Sequence, residues 1–483
     1  MSWVIGINLG ESFIEMTATN LLDKNSSKKP LTQISYLVTE SIAVAVKKFL
    51  TTYEISEVQK VWITSSRLHK ILDKKLGTSV ACIFTSGFEK WALIRQPPTS
   101  DYFEISPERY KFPSSEELIF GLSERINIEG KVEQELLDSE LEFLNSKLKL
   151  MDVKRICINL LHAHRNSVHE AKAADYFNAQ GFEVYTPEHH SDSSRDEVQA
   201  WRKNILNASL TGTSREIHEE VKLAFEGVCS QISFLDSSGQ FQEPESSEHL
   251  ATLWSSIHTM KYKYKTPSNN VLVLGLENLY LLNSDEVNNS WKSHWGPVEV
   301  NKPKYYRLAT QLTLGIELSL FGEICFTKVE EGFEPGPMFW GRSQKPLLVD
   351  ILLMEHLSTG SILEKFAPFK QGSAKNIAQR IQNSINVLTK NIKTQDPIEP
   401  EEFASILAEK FFSHLSVEII LNATSDQLIL TGPLAPYLIK QLRAHLPLMK
   451  ISLDPQAAHS ESQSVLEWAK DHPMSQTTQH QEL

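Results

Sequence analysis

The apolar run from Trp3 to Leu9 is followed by Gly10-Glu11-Ser12 and then by a second apolar run, Phe13 to Ala18. Two such runs around a turn-forming triplet predict a β-hairpin over residues 3–20. The pattern returns in the second half of the chain, where Val271-Leu272-Val273-Leu274-Gly275 is answered by Leu279 to Leu282. A hairpin opening each half is a signal of internal duplication, and it narrows the fold to two comparable lobes. Between the hairpins, strand and helix signals alternate. Val61 to Thr64, Val80 to Phe84, Arg155 to Leu161 and Phe182 to Tyr185 read as strands, with a helix over 168–180. Ile42, Val46, Phe49, Leu50 and Tyr53 share one helical face, which Thr39 can cap. Val132 to Leu148 reads as a long charged helix, Asp196 to Leu210 as another, and 234–250 as a polar loop. Later helices are expected over 374–392, 400–415 and 434–445, with strands at 428–432 and 451–453. The alternation assigns the α/β class.

At 483 residues the chain has room for two large domains or three ordinary ones. Its net charge is −12, with no clustered cationic face, so neither nucleic acid nor an anionic membrane is an expected partner. No run of 18 apolar residues predicts a membrane span. The opening Met-Ser-Trp-Val-Ile-Gly has no basic segment before an apolar one, so no secretory leader is expected and the cytoplasm is the expected location. Cys82, Cys157, Cys229 and Cys325 are scattered and expected to be reduced. Cys82 and Cys157 lie in apolar strands, which argues against a thiol nucleophile.

Several segments in order along the chain resemble the hydantoinase A/5-oxoprolinase family. Leu160-Leu161-His162-Ala163-His164-Arg165-Asn166-Ser167-Val168-His169-Glu170 is similar to that family's L-L-H-S-Y-x-N-P-x-H-E. Phe84-Thr85-Ser86-Gly87-Phe88-Glu89 resembles I-T-T-x-G-F-x-D, and Leu206-Asn207-Ala208-Ser209-Leu210 resembles V-N-A-Y-L. Glu334-Pro335-Gly336-Pro337-Met338-Phe339-Trp340-Gly341-Arg342 resembles D-P-G-P-x-x-Y-G-x, and Asp350 falls where the family has the Asp of a T-D pair. Thr431-Gly432-Pro433 is similar to the late glycine turn. The resemblance implies a two-lobed actin-like fold of the sugar kinase, actin and heat-shock type, with a duplicated β-hairpin-plus-α/β core. It also implies ATP-dependent opening of a cyclic amide, or a role as a carboxylase subunit, with Mg²⁺ offsetting charge on the transferred phosphoryl group.

The phosphate loops depart from the family. Its G-I-D-V-G-G-T-F-T-D is here Gly6-Ile7-Asn8-Leu9-Gly10-Glu11-Ser12-Phe13-Ile14-Glu15. Asn8 lacks the carboxylate that positions hydrated Mg²⁺, and Glu11 brings a negative charge to the place of a phosphate. At about 4 Å and an effective dielectric near 20, such a contact costs on the order of 4 kcal/mol. The second loop, D-M-G-G-T-S-T-D, is here Val273-Leu274-Gly275-Leu276-Glu277-Asn278-Leu279-Tyr280. The glycine-rich G-A-G-G-G-S becomes Leu314-Gly315-Ile316-Glu317-Leu318-Ser319, and H-G-T-T becomes Ile63-Thr64-Ser65-Ser66. Glycine totals 20 of 483 residues, where about 7% is usual. The cofactor positions carried over are therefore degenerate: Asn8, Gly10, Glu11, Ser12, Gly275, Glu277, Gly315 and Gly432.

Two classes of function compete. The first is a catalytically impaired family member acting as a binding, regulatory or scaffold protein. It needs no cofactor, and it associates with itself or with a hydantoinase B-like partner. In that case Leu276, Ile316 and Leu318 should fill a closed cleft. The second is an active ATP- and Mg²⁺-dependent cyclic amide hydrolase or carboxylase subunit. His162, His164, Asn166 and Asp350 are candidates for the substrate cleft or for structural roles. His162-x-His164 has metal-like spacing, but the family motif accounts for His162, so no metal is assigned. His189-His190 reads as a solvated pair. The expected divisions are an N-terminal lobe over 1–212, a shortened connector over 213–269, a C-terminal lobe over 270–460 and a polar, frayed tail over 461–483.

Overall fold

A computed structural model describes residues 3–10, 12–20, 30–36, 41–73, 77–90, 114–188, 197–229, 231–242, 249–266, 269–276, 279–293, 296–308, 311–318, 324–327, 346–353, 379, 382–387, 390 and 400–472. Glu11, Thr39, the proline-rich stretch 97–113, His189-His190, Glu277, Glu334 to Arg342 and most of the helix expected over 374–392 lie outside the described residues.

The expected first hairpin is β1 (Trp3–Leu9) and β2 (Phe13–Asn20), antiparallel with Asn8 opposite Glu15. β3 (Leu31–Tyr36) pairs with β2, and β4 (Val58–Ser65) lies parallel to β1. β11 (Ile232–Leu235) adds to β4 in parallel, and β12 (Phe241–Gln242) closes the edge, giving the order β12-β11-β4-β1-β2-β3. The segment read as a loop over 234–250 thus supplies sheet strands to the first lobe. Helices α1 (Ile42–Thr52) and α2 (Arg67–Asp73) flank this sheet. The Ser41 hydroxyl, rather than Thr39, caps α1 by accepting from Val44 N at 3.3 Å.

Between β4 and β11 the chain builds a second sheet from β5 (Ala81–Thr85), β6 (Ile119–Leu122), β9 (Arg155–Asn159) and β10 (Glu183–Tyr185). Its order is β10-β9-β5-β6 and its registered pairs are all parallel. A short antiparallel pair, β7 (Arg125–Ile126) and β8 (Val132–Gln134), precedes α3 (Asp138–Leu150). The long helix expected from Val132 therefore starts six residues later, after a strand and a turn. One face of the sheet buries Ile83, Ile156 and Ile158 against α3 and α4 (Val168–Ala179). The other buries Cys82, Phe84 and Cys157 against Trp201, Ile205 and Ala208 of α5 (Glu197–Ala224). Helix α5 runs through the boundary expected at 212.

The second lobe repeats the first. α6 (Ser255–Tyr264) leads to β13 (Asn270–Leu274) and β14 (Leu279–Leu282), the second expected hairpin. β15 (Val287–Ser293) and β16 (Gly296–Pro303) form a ribbon, and β17 (Tyr306–Arg307) joins β14. β18 (Gly315–Leu318) and β19 (Ile324–Thr327) form a separate pair. After α7 (Leu348–Leu352) and α8 (Pro400–Asn422) come β20 (Gln427–Thr431), α9 (Ala435–His445) and β21 (Lys450–Leu453). The sheet order is β17-β14-β13-β20-β21, with two antiparallel pairs and then two parallel ones. β3-β2-β1-β4-β11 of the first lobe has the same order and the same directions. The duplication expected from two hairpins is thus a duplication of whole sheets.

The last element departs from expectation. Residues assigned to a frayed tail form α10 (Ser460–Asp471), which crosses back onto the first lobe. Ser462, Val465, Leu466 and Ala469 recur at helical spacing, and the apolar three pack with Val4, Trp62 and Leu235. Gly6 permits this approach: a Cβ there would lie 2.5 Å from Ser462 O. The residues after 472 lie outside the described ones. None of the described helices is long and apolar enough to cross a membrane.

Candidate functional site

The two hairpin turns face each other across one small cavity. Its walls include Asn8, Gly10, Ser12, Phe13 and Glu15 from the first hairpin and Gly275, Leu276 and Tyr280 from the second, with Pro433 and Glu461. The space they enclose is about 50 Å³. Asn8, Gly10, Ser12 and Gly275 are therefore brought together as the resemblance implied. Gly432 stands beside this wall. At φ +93° it has Leu274 backbone atoms within 2.7–2.9 Å of where a Cβ would go, so only glycine fits there. Gly315 is not part of the wall; it begins β18 and bridges to Leu347.

α10 contributes what the sequence did not disclose. Asn8 is buried, its side-chain carbonyl accepting from Thr64 Oγ1 at 3.0 Å and its amide donating to the Glu461 carboxylate. The Glu15 carboxylate accepts from the backbone N–H of Glu461 at 3.1 Å and of Ser462 at 3.3 Å, so a strand residue of one lobe caps the first turn of the returning helix. Thr17 Oγ1 and Ser462 Oγ meet at 2.7 Å. Burial, reinforced by the Glu461 charge, raises the Glu15 carboxyl well above its ordinary range, against the lowering effect of those two N–H donors. Burial pushes the Glu461 carboxyl up to about 7. An Asp at position 8 could not donate to Glu461 and would set a third carboxyl beside this pair.

Of the expected fillers, Leu276 does line the cavity. Ile316 is buried in the second lobe's own core, and the Leu318 side chain lies outside the described residues. A wider groove of about 620 Å³ lies along α6 and α10, lined by Lys261, Lys263, Lys265 and Lys470 but also by Asp285, Glu467 and Asp471. It shares no residue with the cavity, and its four lysines are interleaved with three carboxylates.

Three of the other candidates, His162, His164 and Asn166, lie in the turn between β9 and α4, beyond the carboxyl ends of the parallel strands. Thr85, at the end of β5, donates to Glu124 and accepts from Leu161 N at 2.9 Å. Glu124 also meets His169 Nδ1 at 2.8 Å, and both side chains are buried. This network fixes the turn after β9. Asn166 is tied into the turn: its amide donates to Gly130 O at 2.9 Å and its carbonyl accepts from Val168 N at 3.1 Å. Asp350 lies in the second lobe, a buried carboxylate accepting from Leu347 N at 2.7 Å to cap α7. His162 and His164 both turn toward Glu197, the first residue of α5, a partner that no local spacing could reveal. Cys82 and Cys157 sit opposite each other on adjacent strands, and burial raises both thiols far from the reactive range.

Residues 4–181 match the hydantoinase/oxoprolinase N-terminal region family. No curated protein matches the chain by sequence. The nucleotide-free structure of acetone carboxylase is similar with a TM-score of 0.77 and 14% identity, over 96% of this chain and 69% of that one. An ATP-dependent caprolactamase from Pseudomonas jessenii is similar with a TM-score of 0.66 and 16% identity, over 96% and 70% of the two chains. These likenesses carry the fold: two duplicated lobes of the actin-like type. Residues 4–181 thus carry a hydantoinase/oxoprolinase N-terminal region, and the chain shares the fold of these two proteins.

Proposed function

We infer that this chain is a catalytically impaired member of its family, kept as a binding, regulatory or scaffold protein. The observation that carries this reading is the contact between Asn8 and Glu461 across the cavity where the two hairpin turns meet. The remaining space, about 50 Å³, is far below the roughly 300–1,000 Å³ of a pocket that buries a drug-sized ligand. A phosphate entering there would meet the Glu461 and Glu15 carboxyls and would have to displace the start of α10. No arginine or lysine is among the described residues of the cavity wall, and Lys263 offsets the burial of Glu15 only in part. The outer faces of the lobes are then left to do the work, by self-association or by docking a hydantoinase B-like chain.

Titration calorimetry with millimolar MgATP tests this reading, and the expected outcome is no heat of binding. Micromolar affinity, together with nucleotide hydrolysis, would overturn it. The second reading, an ATP-dependent enzyme acting on a cyclic amide or as a carboxylase subunit, draws on the retained hairpin pair and on the ATP-dependent caprolactamase similar in fold. It requires α10 to lift its first turn away from Glu15.

A further inference from the structure

Away from the cavity, the turn between β9 and α4 brings His162 and His164 against Glu197. We propose that these three side chains bind one divalent transition-metal ion of the zinc class. One ligand atom from each residue lies within 4.8 Å of the other two. His164 Nδ1 is 2.9 Å from Glu197 Oε1, and His162 Nδ1 is 3.7 Å from Glu197 Oε2, so both rings turn the same nitrogen toward one carboxylate. A tetrahedral ion with bonds of about 2.0–2.2 Å holds its donors roughly 3.3–3.5 Å apart, so the His164 pair opens slightly and the His162 pair closes slightly, shifts that ring rotation supplies. Two imidazoles and a carboxylate suit zinc or its neighbours better than the hard cations, which favour all-oxygen shells.

Three further features support the assignment. His162 holds a left-handed backbone, φ +59°, a conformation that a non-glycine residue adopts only at a cost. Its own N–H donates to Glu197 Oε1 at 2.7 Å, so the carboxylate is already oriented before any ion arrives. The side chains of His162, His164 and Glu197 keep 22%, 25% and 19% of their surface exposed, which leaves a coordination position open to water or a ligand. The cluster also lies beyond the carboxyl ends of β5, β9 and β10, where open parallel sheets bind ligands. None of this depends on the state of the cavity between the hairpins, and the site stands whether or not nucleotide binds there.

The test is equilibrium dialysis of the full chain against Zn²⁺ with elemental analysis, and Co²⁺ loading read by visible absorption. About one ion per chain is expected, with the intense cobalt bands of a four-coordinate site. Glu197→Gln and His164→Tyr should each weaken retention by at least about tenfold, with metal-free melting temperatures close to that of the parent. Tyr is the residue of the resembling motif at this position, so the second variant suits the turn. Weak octahedral cobalt bands in the parent overturn the proposal without recourse to any variant. So does zinc retention unchanged in both variants, which would assign the ion to other histidines such as His189 and His190.

Discussion

Asn8 explains at the scale of one residue why a carboxylate is missing from the opening hairpin. With Glu461 against it and Glu15 opposite it in the strand pair, the amide supplies a donor where an acid would add repulsion. The two carboxyls bind protons more tightly folded than unfolded. Their contribution to stability is therefore complete below about pH 4.5 and is lost as pH rises through the folded value, about 7 for Glu461. His249, His258 and His459 act in the opposite sense. Burial pushes each down to about 4, so their contribution is complete above about 6.5 and is lost as pH falls toward 4. Glu461→Gln keeps an acceptor for Asn8 and removes the Glu461 share of the first dependence, leaving that of Glu15 and of the histidines. Its melting temperature should match the parent near pH 5 and exceed it near pH 8, by an amount equivalent to on the order of 2–3 kcal/mol. A constant offset across that range would show that Glu461 does not ionise in the fold. The substitutions themselves were readable: Asn8, the lone Gly275 and Leu276 stand in the sequence as departures from a motif. Glu461 was not readable as their partner, because 453 residues separate it from Asn8.

Elements with local signals came through from sequence, and elements defined by distant partners did not. Both hairpins are written as apolar runs around a turn, and α4, β20 and α9 fall within a residue or two of expectation. α3 was overextended because Val132 to Gln134 is as polar as the helix that follows and no glycine or proline separates the two. α10 was overlooked although Val465, Leu466 and Ala469 form a clear stripe; polar residues on both sides concealed it. Two substitutions test how that helix is held. Leu466→Ala empties a buried contact with the first sheet and should cost about 2–5 kcal/mol. Gly6→Ala sets a methyl against the helix backbone and should cost about 1–3 kcal/mol. In both variants, limited proteolysis should cut sooner between β21 and α10 than in the parent. Equal cleavage rates in variants and parent would mean that the helix is held from elsewhere.

At the scale of the molecule, the two lobes share their cores. Phe13, from the first hairpin, packs in the cluster of the second lobe. Val271, Val273 and Leu282, from the second hairpin, pack in the cluster of the first. α10 adds a third tie, since the chain that completes the second sheet ends on the first. Lobes joined in this way cannot lose one core without exposing part of the other, so residues 3–472 should unfold in one calorimetric transition. A nucleotide that bound the folded chain would raise that transition by mass action, with about 2.7 kcal/mol gained at a hundredfold excess over Kd. With the cavity closed by Leu276, Tyr280 and Glu461, millimolar MgATP should leave it unmoved. Removing residues 460–483 separates the two effects. The truncated chain should melt lower and tend to self-associate through Val4, Trp62 and Leu235, and it should still show no shift with MgATP, because Gly275 stands alone where two glycines would cradle phosphate. A nucleotide-dependent shift that appears only after truncation would instead identify α10 as a plug over a competent site, and the cavity would have to be read as autoinhibited rather than degenerate.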